Sequence, residues 1–216
     1  MWGDKMGREF IELFNEWSDS YDDTVRGLDV EYKKVFENYD QILDYVADKV
    51  DGTVMEFGVG TGNLTKKLVE RKCQVIGIEP SPLMRQKAKE KIRQVEIMDG
   101  DFLEFPKDEP IHAFVSSYAF HHLTDTEKKL AIDKYTNLLP TGGKIVFADT
   151  IFLTEDEKFD RIKLAEKEHF LNLANDLRTE FYTTIPRIKD MFEQNSFSIH
   201  FTKMNDFVWV FEAIKK

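Results

Sequence analysis

Apolar positions along this chain recur with two different spacings, and the change from one to the other marks out its plan. Residues 6–20 set Phe10, Leu13, Phe14 and Trp17 at helical spacing, and residues 32–50 do the same with Val35, Phe36, Tyr39, Ile42, Leu43 and Val46. Two helices follow from this, joined at Tyr21-Asp22-Asp23-Thr24, and they form an N-terminal lid or brace. Beyond them the apolar runs become short. Strands are predicted at Thr53-Val54-Met55 and over residues 74–79, 95–99, 112–117 and 144–149, with helical stretches between them. The first helix after residue 53 runs to about Arg71. Pro82 sits in the first turn of the second, and Thr124 or Asp125 caps a third, with Glu127 in its first turn and its end near Leu139.

Residues 155–178 read as one charged helix packed through Phe159, Ile162, Leu164, Phe170, Leu173 and Leu177, and residues 183–193 as a shorter one opened by Pro186. Two strands, 197–202 and 207–213, close the chain around a turn at Asn205-Asp206. The order is therefore five βα-type strands and a terminal hairpin, an α/β class protein. A single domain over 1–216 is expected, with residues 1–50 as the lid and 51–216 as the core.

Composition narrows the partners. A chain of 216 residues with 42% hydrophobic and 32% charged residues holds one substantial core. It has no apolar run of about 18 residues that could span a bilayer, and Met1-Trp2-Gly3-Asp4-Lys5 has no leader-like apolar region. No membrane partner is expected. A net charge of -10 opposes binding to a phosphate backbone, so no nucleic acid is expected either. The single cysteine, Cys73, forms no internal disulfide, which suits a reducing cytoplasm, and it reads as a small core thiol.

The candidate chemistry begins at Thr53 to Leu64. An apolar run meets Glu56, then Gly58, Gly60 and Gly62 alternate ahead of a helix. Such a loop lets a ligand approach the backbone and aims free N–H groups toward it. A dinucleotide fingerprint requires a third glycine three positions after the second, where this chain has Asn63. Glu79, 21 residues after Gly58, ends the second strand beside that loop, where a carboxylate can accept two hydrogen bonds from a ribose diol. Asp101 and Phe102, just after the third strand, suit the acceptor and the flat surface that an adenine ring needs, and by themselves read equally as a solvated turn Asp with a core Phe.

These stretches together resemble the class I S-adenosylmethionine-dependent methyltransferases, and in detail the small bacterial members with an M-G-R-E-F opening and a W-x-x-x-Y-D motif. Met6-Gly7-Arg8-Glu9-Phe10, Trp17-Ser18-Asp19-Ser20-Tyr21-Asp22, Glu56-Phe57-Gly58-Val59-Gly60-Thr61-Gly62-Asn63, Gly77-Ile78-Glu79-Pro80-Ser81, Asp99-Gly100-Asp101-Phe102 and Ser117-Tyr118-Ala119-Phe120-His121-His122-Leu123 carry the likeness. It implies a three-layer Rossmann-like methyltransferase fold, with a mostly parallel seven-stranded sheet, an antiparallel C-terminal hairpin and the N-terminal helical lid. It implies S-adenosyl-L-methionine as cofactor, contacted by Tyr21 from the lid, Glu56, Gly58, Gly60 and Gly62 at the methionine portion, Glu79 at the ribose, Asp101 and Phe102 at adenine, and Ser117.

Methyl transfer is an in-line displacement that needs alignment and exclusion of water, and a base only when the acceptor must lose a proton. His121 and His122, just beyond the fourth strand, are the catalytic candidates. As neighbours on a turn they should diverge, so that at most one faces the pocket. Asp149 is a second candidate for substrate contact, and His112, His169 and His200 are structural. Ser116-Ser117-Tyr118-Ala119 lacks the D/N-P-P-Y/F of amino-methylating nucleic-acid enzymes, and Cys73 lies outside a P-C context. No His, Cys and carboxylate set stands at ligand spacing along the chain, so no metal is expected. A small-molecule acceptor remains, entering between the N-terminal helices and the loops after strands four and five. The alternative is a noncatalytic cofactor-binding or regulatory module on the same fold. A nicotinamide oxidoreductase fits poorly because of Asn63.

Overall fold

In the computed structural model, which describes residues 11, 12, 15, 20–106 and 110–216, seven strands form one sheet. They are β1 (Thr53–Phe57), β2 (Gln74–Ile78), β3 (Glu96–Met98), β4 (Ala113–Ser117), β5 (Lys144–Thr150), β6 (Phe197–Lys203) and β7 (Val208–Lys215), in the order β3-β2-β1-β4-β5-β7-β6. The first five pair in parallel, while β7 runs antiparallel to both β5 and β6. This is the Rossmann-like arrangement expected, including the terminal hairpin.

β1 lies inside the sheet between β2 and β4, and all five of its residues are buried, as a strand covered on both faces requires. Val54 joins the apolar cluster on one face of the sheet, and Met55 and Phe57 join the cluster on the other. The second cluster is aromatic: Phe114 stacks on Tyr135 at 4.4 Å and Phe57 on Tyr135 at 5.3 Å. Tyr135 Oη, at the bottom of that cluster, donates to Phe102 O at 2.8 Å and so fixes the loop after β3. Cys73 is buried on the other face, as expected of a core thiol.

Helices cover the sheet: α1 (Tyr21–Val25), α2 (Tyr39–Asp48), α3 (Asn63–Glu70), α4 (Pro82–Lys91), α5 (Asp125–Leu138), α6 (Glu155–Lys167), α7 (Leu171–Thr179) and α8 (Ile185–Gln194). Thr124 caps α5 in a reciprocal box with Glu127, the arrangement its sequence announces. Among the described residues no helix is long and apolar enough to cross a membrane.

Three expectations need correction. Residues 32–50 are not one helix: turns occupy residues 30–38, Asn38 adopts φ 62°, and α2 begins only at Tyr39. Ile42, Leu43, Val46 and Ala47 of α2 are buried within the cluster shared with Val54. It is a layer of the sandwich, and among the described N-terminal residues those that line the site, Tyr21, Tyr32, Val35 and Phe36, precede it. Residues 155–178 are two helices, broken where His169 turns to φ 61° and Phe170 N reaches back to Ala165 O at 2.8 Å. Phe159 and Leu164 are exposed, at 55% and 38%, so charged and apolar residues share the outer face of α6. The apolar face proposed through Phe10, Leu13, Phe14 and Trp17 lies outside the described residues.

The topology places the site. From β1 the chain steps outward to β2 and β3, then returns across the sheet to β4 on the other side of β1. The chain therefore leaves β1 and β4 toward opposite edges of the sheet, and the crevice that opens beyond the touching roots of their loops lies at the carboxyl ends of the strands, where ligands of such sheets bind.

Candidate functional site

The loop after β1 comes very close to the loop after β4. Gly58 has φ +66°, and a Cβ built on it would lie 2.7 Å from Ala119 Cβ. Any other residue there would push the two loops apart, which is the physical reason for the first glycine of the alternating set. Gly60, at φ +56°, meets no atom within 4 Å of a built Cβ and lines the cavity. Its missing side chain leaves room at the wall.

That cavity, about 120 Å³, runs from the glycine loop to the end of α7 and is lined mainly by apolar surface. Tyr21, Gly58, Gly60, Glu79, Asp101, Phe102, Ser117, His121 and His122 all line it. Glu56 and Gly62 do not. Glu56 is buried below the loop, accepting from Thr65 Oγ1 at 2.6 Å, and burial lifts its carboxyl to about 8. A Cβ on Gly62 would meet Ile92 Cδ1 at 3.0 Å. Both shape the loop from behind.

Glu79 is held rigidly. Its Oε2 accepts from Gly60 N and its Oε1 from Ser81 N, each at 2.8 Å. Burial raises its carboxyl to about 7 against the opposing pull of those two N–H groups. Asp101 Oδ1 accepts from Leu103 N and Glu104 N at 2.8 Å. This turn presents Phe102, whose ring packs 5.1 Å from Phe57 and 5.3 Å from Phe120. α1 is tied to the glycine loop. Asp22 accepts from Thr61 Oγ1 at 2.7 Å and Asn63 Nδ2 at 3.1 Å, and pairs with Lys91 at 3.0 Å. Its neighbour Tyr21 is thereby held over the glycine loop, edge-on to Phe36 at 6.5 Å.

At the other end, His121 and His122 occupy a single tight turn, Phe120–His122. Both line the cavity, with ring centroids 4.2 Å apart; the short helical turn does not separate them as an extended pair would be separated. His121 Nδ1 lies 2.6 Å from Asp149 Oδ1, and its Nε2 lies 3.2 Å from Glu180 Oε2. Asp149 thus acts from behind His121 and is not among the lining residues. Tyr182 Oη donates to Glu180 Oε2 at 2.6 Å, and its ring stacks on His121 at 4.7 Å.

Burial pulls His121 toward neutrality, but Asp149 and Glu180 outweigh it and push its pKa up to about 10. Burial and the His121 charge push His122 down to about 3. Burial raises Glu180, yet His121 holds it near 2. At neutral pH the cluster is an imidazolium between two carboxylates beside a neutral imidazole. An imidazolium donating from both nitrogens has no lone pair with which to accept a proton.

The chain carries no metal-ligand set by spacing, but folding gathers one possible donor set among the described residues. Donor atoms of His121, His122 and Glu180 lie within 4.8 Å of one another, because a loop 58 residues farther along the chain returns to the histidine turn. For His121 to bind a metal it would have to give up the proton that its two carboxylates favour. His112 stands at the opposite end of the strands, its Nδ1 accepting from Thr53 N at 3.1 Å, and His169 sits at the helix break.

Asp176, Glu180, Tyr182, Tyr32 and Tyr118 also line the cavity and were not singled out from sequence. Tyr118 lies within the motif around His121, and its φ of +54° is a backbone state that a tyrosine seldom adopts. The others lie in segments whose periodicity shows only helices and turns.

Comparison with known proteins agrees with this geometry. Residues 54–143 match a family model described as a methyltransferase domain. An uncharacterized methyltransferase of Anoxybacillus flavithermus is 53% identical over 212 residues, covering 98% of this chain and 100% of the relative. One from Geobacillus sp. (strain WCH70) is 55% identical over 214 residues, with 98% and 100% covered. Among solved structures, magnesium protoporphyrin IX methyltransferase from Synechocystis PCC 6803 with bound SAM has a TM-score of 0.73 at 15% identity, covering all of both chains. Human N-acetylserotonin methyltransferase in complex with SAM has a TM-score of 0.63 at 18% identity over 84% of this chain and 52% of that one. At such identities the structures establish the shared fold, and the bacterial relatives establish more: the chain belongs to their family of methyltransferases.

Proposed function

We propose that the protein transfers a methyl group from S-adenosylmethionine to a small-molecule acceptor. The observation that carries this reading is the convergence of Gly58, Gly60, Glu79, Asp101 and Phe102, drawn from the ends of three strands, on one cavity wall. The residues suit the cofactor. Glu79, pinned by two backbone N–H groups, keeps further lone pairs for a ribose diol. Asp101 and Phe102 offer an acceptor and a ring edge for adenine, and the bare backbone at Gly60 leaves room for the methionine portion. Glu56 and Gly62 support the loop from behind, and Tyr21 covers the bound molecule.

The cofactor supplies an electrophilic methyl on a sulfonium. The protein's part is to align and to keep water out, for which a mostly apolar, covered cavity is suited. Ser117, at the end of β4, lies between the donor wall and the histidine turn. His121 and His122 sit on the acceptor side, where the doubly bonded imidazolium orients groups and does not take up a proton.

Calorimetry with S-adenosylmethionine and with S-adenosylhomocysteine tests the reading. Binding of both is expected, weakened about tenfold or more by Glu79→Ala and by Asp101→Ala, since each removes charge-assisted hydrogen bonds of about 1.5–3 kcal/mol. Failure of the unmodified protein to bind either compound would sink it.

A further inference from the structure

Beyond Tyr118 the wall of the cavity changes character. Asp176 and Glu180 line it there together with Tyr32 and Tyr182, and Tyr32 Oη donates to Asp176 Oδ2. No Lys or Arg stands among its described lining residues. The cation that does face this end, His121, is shared between Asp149 and Glu180. Buried Lys128 lies behind the wall, paired with Asp125 at 3.5 Å, with its Nζ donating to Leu123 O and Phe181 O. Asp149, Asp176 and Glu180 thus oppose one lining cation, and the end of the cavity is negative.

A second observation is independent of these charges. The Tyr118 hydroxyl is buried with no hydrogen-bond partner in the described structure, although Tyr118 lines the cavity. Its ring is fixed against Phe36 at 5.0 Å and Tyr39 at 5.5 Å, and its backbone is held at φ +54°. Leaving a buried hydroxyl unsatisfied is unfavourable, and strained backbone of this kind collects where a ligand is gripped. A ligand with a polar hydrogen would satisfy it.

We propose that this end of the cavity binds the methyl acceptor through a basic amine, with Asp176 and Glu180 holding its ammonium charge and Tyr118 Oη accepting an N–H bond. The inference rests on the methyl-transfer reading above and names its substrate class. Against the described lining, an anionic acceptor would be buried beside carboxylates with no Lys or Arg to pair with, which is strongly unfavourable. An ammonium finds the two carboxylates of Asp176 and Glu180. For transfer, the ammonium gives one proton to Asp176. The nitrogen lone pair then forms the N–CH3 bond as the CH3–S bond breaks, and the electron pair stays on sulfur as a neutral thioether. The product leaves as an N-methylammonium, and Asp176 returns its proton to solvent.

The experiment is calorimetry of the whole protein saturated with S-adenosylhomocysteine, titrated with benzylamine and hexylamine and with benzoate and hexanoate as their anionic counterparts. At least one amine is expected to bind about tenfold or more tightly than its carboxylate counterpart, the ratio that a difference of about 1.4 kcal/mol gives. Asp176→Asn should bring the two within about threefold, with S-adenosylhomocysteine affinity unchanged as evidence of an intact fold. Tighter or equal binding of the carboxylates overturns the proposal. So does the absence of amine binding, or amine affinity indifferent to both Asp176→Asn and Glu180→Gln. If S-adenosylhomocysteine itself fails to bind, the methyl-transfer reading falls instead, and the same probes titrated into the free protein still report the charge preference of this end.

Discussion

Replacing Glu180 by Gln probes the ion cluster at the histidine turn with little change in shape. In the folded chain His121 rises from an ordinary 6.5 to about 10, a preference for the imidazolium of roughly 5 kcal/mol shared between Asp149 and Glu180. Glu180 falls from 4.5 to about 2, roughly 3 kcal/mol. The second figure is the same attraction seen from the other partner, so the two are not summed. Because Asp149 stays in place, Glu180→Gln is expected to cost about 2–3 kcal/mol, read by urea denaturation at pH 6.

The pH dependence has a defined sign. The raised pKa of His121 contributes stability that is complete below about 6.5 and is lost as pH rises through about 10. The lowered pKa of Glu180 contributes stability that is complete above about 4.5 and is lost as pH falls through about 2. The penalty of the substitution is therefore greatest between about pH 4.5 and 6.5 and shrinks toward pH 10. The imidazole resonances of His121, followed by NMR, should titrate near 10 in the unmodified protein and lower in the variant. A midpoint near 6.5 in the unmodified protein, or a penalty that does not change between pH 6 and 10, would refute the reasoning.

Two further outcomes follow from the scaffold around the site. Gly58→Ala places a Cβ 2.7 Å from Ala119 Cβ at φ +66°; it is expected to destabilise by about 2–4 kcal/mol in thermal denaturation, and an unchanged melting point would show that the two loops can part freely. Asn205 Nδ2 donates to Val35 O and Glu37 O while its Oδ1 accepts from Phe207 N and Val208 N. Asn205→Ala should therefore cost about 2–4 kcal/mol and speed hydrogen exchange within residues 31–38, which form one wall of the cavity; exchange confined to the hairpin would contradict that coupling.

Local chemistry made much of this protein readable before folding is considered. Short apolar runs marked all seven strands and 3.6-residue periodicity most of the helices, because a strand buried on both faces carries mostly apolar residues, as Thr53–Phe57 does apart from Glu56. The Thr124 and Glu127 box and the Pro82 and Pro186 starts are local events and were placed to within a residue or two. Gly58, Gly60, Glu79, Asp101 and Phe102 could be read together because each follows a strand, and the carboxyl ends of parallel strands must share one edge of the sheet. The two helix breaks were not legible. Asn38 and His169 enter the left-handed region in stretches whose apolar spacing continues through them, and only contacts with distant segments settle the turn.

What the tertiary structure alone decided is the far end of the cavity. Nothing in residues 171–184 marks Asp176, Glu180 or Tyr182 as partners of a histidine turn more than fifty residues earlier in the chain, since ion pairing depends on distance in space and leaves no periodic trace in sequence. Packing α7 beside that turn turned His121 from a candidate base into a bound cation and gave His122 a neutral, buried place. The donor wall is written along the chain because backbone topology builds it. The acceptor wall is built by side chains from separate segments, and its charge exists only once they are folded together.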